Sequence, residues 1–245
     1  MTEAETETEL TLQCRAGDLP AWSAKPTGDG PWPGIVVLHD AVGMTTDLRE
    51  QSRWLASAGY LTIAPDLYRG GGKVRCMFRM LRDVMAGRDD DVMAMIEAAR
   101  TWLSEHHQCT GKLGVIGFCM GGGFALMLAG RGDYDAVSAN YGGMNEDTAA
   151  ALAKACPVVA SYGGRDPTLR GEASKLRSLL QTHDIPHDVK EYPEAGHGFM
   201  NAHARGEMPW LFLVLGRLSR TRYNAEASED SRRRIVAFFR EHLGA

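Results

Sequence analysis

Apolar residues in this chain fall into short unbroken runs, separated by longer stretches in which they recur every three or four positions. The run Ile35-Val36-Val37-Leu38-His39 has no polar face, as expected of a strand covered on both sides. Further strands are read at Tyr60 to Ala64, Lys112 to Ile116, Ala136 to Asn140, Val158 to Ser161 and His187 to Tyr192. Helical spacing predicts helices over about Thr46 to Ala58, Lys73 to Met85, Asp89 to Ser104, Met120 to Ala129, Leu169 to Gln181 and Ala225 to His242. The last of these places Ile235, Phe238, Phe239 and Leu243 on one face. Leu10 to Arg15 and Pro20 to Ala24 read as an antiparallel pair turning at Ala16-Gly17-Asp18. Strands that alternate with helices across short links specify the α/β class, a doubly wound and mostly parallel sheet flanked by helices.

With 245 residues, 44% hydrophobic and 24% charged, the chain can bury one full core. Residues 10–245 are read as a single domain, and the acidic stretch 1–9 as a frayed tail. A net charge of -4 argues against a nucleic-acid partner, and Arg232 to Arg234 read as a solvated helix face. No apolar run approaches a membrane span, and the start has neither the basic nor the apolar part of a leader. Five scattered cysteines disfavour a disulfide framework and suit a reducing, cytoplasmic compartment. No metal is expected, because the adjacent histidines of His106-His107-Gln108-Cys109 do not share a helix face. Gly70-Gly71-Gly72-Lys73 lacks the spacing and the hydroxyl of a phosphate loop, and no cofactor is expected. The segment His203 to Arg222 interrupts the alternation with the apolar run Trp210 to Leu215, which fits a lid, a subunit contact in a homo-oligomer or a buried helix.

Chemistry enters at Gly114-Val115-Ile116-Gly117-Phe118-Cys119-Met120-Gly121-Gly122-Gly123. An apolar strand there runs into a glycine-flanked turn with Cys119 at its apex, and an alanine-containing helix follows. Small residues two before and two after the apex allow the close strand-to-helix approach of a nucleophile elbow. Two later glycine-rich loops, around Asp166 in Gly163-Gly164-Arg165-Asp166-Pro167 and around His197 in Ala195-Gly196-His197-Gly198-Phe199, each follow a predicted strand. The order Cys119, Asp166, His197 is the order of nucleophile, acid and base in α/β-hydrolase topology. In such a triad His197 takes the thiol proton and Asp166 orients the imidazole, while the helix N-terminus favours a negative sulfur. The backbone N–H groups of Met120 and Ala41 are the expected oxyanion donors. Asp40 ends the first long strand beside that position, either as a turn acid or as an auxiliary acceptor of the thiol proton.

The set His39-Asp40-Ala41-Val42-Gly43, Ala64-Pro65-Asp66-Leu67-Tyr68, Gly117-Phe118-Cys119-Met120-Gly121-Gly122, Gly164-Arg165-Asp166 and Ala195-Gly196-His197-Gly198-Phe199 resembles the dienelactone hydrolase family, from about Leu10 to the C-terminus. The resemblance implies an α/β-hydrolase fold and cofactor-free opening of a small ester or lactone. The chain departs from the family's pattern twice. Asp40 stands where a glutamate is usual, and Asn201 stands where an arginine four positions after the histidine grips a substrate carboxylate. Asn201, Arg79 and Trp210 are therefore the candidate substrate contacts, with Lys73 and Arg75 as further sources of positive charge, and neutral substrates are expected. The alternative is a binding or sensing module that keeps the fold without turnover.

Overall fold

The computed structural model describes residues 6–15, 17–71, 74–75, 90–204 and 206–244. Its strands are β1 (Thr6–Cys14), β2 (Gly17–Lys25), β3 (Trp32–Leu38), β4 (Leu61–Pro65), β5 (Cys109–Phe118), β6 (Ala136–Asn140), β7 (Val158–Gly163) and β8 (His187–Tyr192). They form one sheet in the order β1-β2-β4-β3-β5-β6-β7-β8. Only the β1–β2 and β2–β4 pairings are antiparallel. Every other described pairing is parallel, as the unbroken apolar runs require.

The alternation of side chains along β3 shows why that run has no polar face. Val36 and Leu38 enter a core layer with Ile96, Phe124 and Leu176. Ile35 and Val37 enter the opposite layer with Leu48, Ile235 and Phe239. The first layer is closed by α2 (Asp90–Glu105), α3 (Met120–Ala129) and α5 (Glu172–Thr182), the second by α1 (Thr46–Ser57) and α7 (Ala225–Leu243). Helix ends carry their caps: Thr45 accepts from Leu48 N at 3.4 Å, Asn224 accepts from Ala227 N at 3.1 Å, and Gly244 closes α7 with φ 75°.

One expectation changes. Residues 6–9 are not tail but the first half of β1, where Thr6 to Glu9 pair with Trp22 to Lys25. Their polar side chains suit an edge strand, and Glu7 and Glu9 reach Arg53 and Arg49 of α1. A short helix α4 (Glu146–Ala151), started by Asn145 accepting from Thr148 N at 2.8 Å, had no apolar period to announce it. The expected helix Lys73 to Met85, which carries Lys73 and Arg79, falls almost wholly outside the described residues.

Parallel strands point their carboxyl ends the same way, so the loops after β3, β5, β7 and β8 gather at one edge of the sheet. Those loops hold Asp40, Cys119, Asp166 and His197.

Candidate active site

Between β5 and α3 the chain reverses at Cys119, whose φ of 53° and ψ of -112° are costly for a residue with a side chain. Neighbouring glycines make the turn sterically possible. A Cβ on Gly117 would lie 1.9 Å from the Gly121 carbonyl oxygen, and one on Gly121 would lie 2.5 Å from that of Leu38. The Cys119 N–H donates to the Asn140 carbonyl at 3.0 Å, which ties the apex to β6.

The β7 and β8 loops bring their polar residues to the sulfur. A Cβ on Gly163 would meet the Gly196 carbonyl at 2.3 Å, so the two loops close only because glycine is there. The Arg165 N–H then donates to the Ala195 carbonyl at 2.9 Å. Asp166 Oδ1 accepts from the N–H and hydroxyl of Thr168, at 2.8 and 2.6 Å, which turns Oδ2 toward His197 Nδ1 at 2.5 Å. His197 Nε2 lies 3.0 Å from Cys119 Sγ. Burial pushes Asp166 up, but the hydrogen bonds from His197 and Thr168 outweigh it and hold the carboxyl below its ordinary value. Burial also works against a charged His197, yet the sulfur and carboxylate on either side raise the imidazole to about 10. A carboxylate on Nδ1 fixes the proton there and leaves Nε2 to exchange a proton with sulfur.

Cys119 and His197 open into a cavity of about 210 Å³ whose walls include Ala41, Val42, Met208 and Phe212. Among the described residues neither the Met120 nor the Ala41 N–H has a hydrogen-bond partner. The Tyr68 hydroxyl donates to the Ala41 carbonyl at 2.9 Å, which steadies that peptide.

Both carboxylate oxygens of Asp40 are engaged within the protein. Its Oδ1 accepts from Val42 N at 2.8 Å, and Oδ2 lies 2.7 Å from Nε2 of His203, a residue that carried no motif in the sequence. Both side chains are largely enclosed, 12% and 7% exposed. Burial alone would raise Asp40 and lower His203; their mutual attraction, helped by the Val42 N–H at Asp40 and by Asp47 and Glu207 around His203, reverses both, lowering the carboxyl and raising the imidazole.

Asn201 reaches the cavity wall but is 8% exposed and engaged within the protein. Its amide oxygen accepts from the Tyr141 hydroxyl, and its Nδ2 donates to Asp47 Oδ2 at 2.6 Å. The Asp47 carboxylate also accepts from Ala202 N at 2.7 Å, so Asn201 links three elements, and the Tyr141 ring packs edge-on against His197 at 5.3 Å. Trp210, expected at the substrate, starts α6 (Trp210–Leu218), is 75% exposed and is not among the residues that line the cavity, as Phe212 and Gly216 of the same helix are. Its indole stands outside because helical spacing sets residues 210 and 212 on opposite faces. From the segment after His197, His203, Met208, Phe212, Gly216, Ser219 and Thr221 line the cavity. Arg75 is exposed, while Arg79 and Lys73 lie outside the described residues. Among the described residues no group of histidine, cysteine and acid side chains suits a metal ion.

Comparison with known proteins places this geometry among relatives. The model of the dienelactone hydrolase family matches residues 19–243. A Yersinia pestis protein named "Putative carboxymethylenebutenolidase" is 30% identical over 250 residues, covering 96% of this chain and 88% of its own. A carboxymethylenebutenolidase of Pseudomonas putida is 26% identical across 72% of this chain and 78% of its own. In fold, the chain matches the crystal structure of a dienelactone hydrolase-like promiscuous phosphotriesterase from metagenomic libraries with a TM-score of 0.82, at 21% identity over 99% of this chain and 100% of the other.

Proposed function

The chain belongs to the dienelactone hydrolase family and is a lactone or ester hydrolase; from that premise we propose that it works by covalent catalysis with Cys119 as nucleophile, His197 as base and then acid, and Asp166 as the orienting carboxylate. The observation that carries this reading is the chain of contacts from Oδ2 of Asp166 through His197 to Sγ, 2.5 and 3.0 Å long.

In the first half-reaction the proton of the Cys119–His197 pair is held on Nε2, and the sulfur electron pair forms a C–S bond to the acyl carbon. The carbonyl π pair moves onto oxygen, where the N–H groups of Met120 and Ala41 receive it. One such donor is worth about 10² to 10³ in rate. Collapse restores the carbonyl and breaks the C–O bond, and the departing alkoxide takes the Nε2 proton. From a lactone, the alcohol so formed stays on the acyl group. A water molecule then gives its proton to Nε2 and attacks the thioester; the acid leaves and the Cys119–His197 pair is restored. No step calls for a cofactor.

The preferred substrates are small and uncharged. The cavity has apolar walls in Val42, Met208 and Phe212, and among its described lining residues there is no lysine or arginine. The test is hydrolysis of a chromogenic short-chain ester and a neutral γ-lactone before and after iodoacetamide, with the labelled cysteine identified by peptide mass. Loss of turnover in step with labelling of Cys119, and its absence in Cys119→Ala, is expected. Near-normal turnover by Cys119→Ala would sink the mechanism.

A further inference from the structure

A second histidine–carboxylate pair shares the cavity with the first. Asp40 comes from the end of β3 and His203 from the loop after β8; both line the space that Cys119 and His197 open into. Their side chains meet at 2.7 Å and are mostly enclosed. The remaining oxygen of Asp40 is taken by Val42 N at 2.8 Å, whereas Nδ1 of His203 is buried with no hydrogen-bond partner among the described residues. Asp40 is therefore the one polar anchor that fixes the imidazole through a hydrogen bond among those residues.

The charges around the pair decide its state. Asp40, Asp47 of α1 and Glu207 all act on His203 and favour its protonated form. His39 also influences Asp40. Its ring, however, accepts from Leu67 N through Nε2 at 3.2 Å and places Nδ1 2.6 Å from the Asp40 carbonyl, the contacts of a neutral imidazole with its proton on Nδ1. One anion and one cation thus stand side by side in an apolar-walled cavity, with no lysine or arginine among its described lining residues. Fields in such a space are weakly screened, so a change of one charge is felt by any charged group that enters.

We infer that the Asp40–His203 pair sets the charge met by the acyl part of a substrate, cancelling to zero and so selecting uncharged esters and lactones over carboxylate-bearing ones. This deepens the proposed function and rests on it for its catalytic readout. It makes His203 a specificity-determining residue and assigns Asp40 to charge balance instead of proton abstraction. Removing either partner's charge shifts the preference in a direction fixed by the charge left behind.

The experiment compares kcat/KM at pH 6 for an unsaturated γ-lactone bearing a carboxylate arm with that for the same lactone bearing a carboxamide arm. Wild type favours the carboxamide. Asp40→Asn keeps the acceptor for Val42 N and removes the compensating anion while Asp47 and Glu207 still favour the imidazolium, and is expected to raise the anionic-to-neutral ratio about tenfold. His203→Gln keeps a donor to Asp40 but leaves the carboxylate uncompensated, and is expected to lower the ratio about tenfold. The double variant returns it toward the wild-type value. Because the readout is a ratio, a general loss of activity cancels, and should His203→Gln fail to fold, the sign for Asp40→Asn still decides. Calorimetric Kd values for the ring-opened carboxylate and carboxamide products on Cys119→Ala protein carry the same signs without turnover, which separates this inference from the choice of nucleophile. Ratios that move in the same direction in both variants, or that stay within twofold in Asp40→Asn, would overturn it.

Discussion

At the scale of single residues the site rests on a few contacts whose loss has a calculable sign. Cys119, His197 and Asp166 act as one unit if the proposed chemistry holds, so Cys119→Ala and His197→Ala should each remove nearly all ester turnover, and the double variant should be little worse than either. Steady-state rates on one chromogenic ester check this; an additive double variant would argue for separate roles. The raised imidazole has a consequence for stability as well. Its folded value of about 10 lies above the ordinary 6.5, so the stabilisation it contributes is complete below about pH 6.5 and fades as pH rises through 10. Denaturant midpoints between pH 6 and pH 10.5 should therefore fall more for wild type than for His197→Gln. The meeting of Cys119 and His197 was legible in the sequence because the glycines around each restrict what their turns can be. His203 was not, since its meaning comes only from Asp40, 163 positions earlier, and no local period marks the pairing. The spacing of Asn201 from His197 placed it at the cavity, which it lines, but gave no sign that Tyr141 and Asp47 engage its amide across the fold.

Elements were read more surely than their orientation. The strands around β5 and the helix that follows announced themselves by composition, because a strand buried on both faces admits few polar residues. Helix α6 announced only that it was apolar. Its inner residue, Phe212, lines the cavity, whereas Trp210, Leu213, Val214 and Leu218 remain exposed. A run that is apolar all round its helix carries no signal of which side faces in. The two sides separate experimentally: Phe212→Ser is expected to raise KM for a hexanoyl ester several-fold more than for an acetyl ester, and Trp210→Ser to change neither ratio by more than about twofold. Equal effects on selectivity would mean that the whole helix, and not its inner face, governs access.

For the whole molecule, topology does most of the assembly. The parallel part of the sheet delivers four loops to one edge, and contacts between backbones at Gly163 and Gly196, or at Gly117 and Gly121, bring them close enough for side chains to meet. This much was foreseeable from the order of strands and helices. The edge strand β1 was not, because alternating threonine and glutamate resemble a solvated tail until β2 and the arginines of α1 are beside them. No helix among the described residues is long and apolar enough to cross a membrane.

The outward indole of α6 gives the protein a built-in optical reporter. Trp210 is 75% exposed, while Trp22 is buried and Trp32, Trp54 and Trp102 are partly covered, so acrylamide should quench one fluorophore far more than the other four. Two residues along the same helix, Phe212 touches the space where an acyl group would sit. Any shift of that wall on loading the cavity should therefore register as a change in the quenchable fraction of emission, measurable in stopped flow without a coloured substrate and absent in Trp210→Phe.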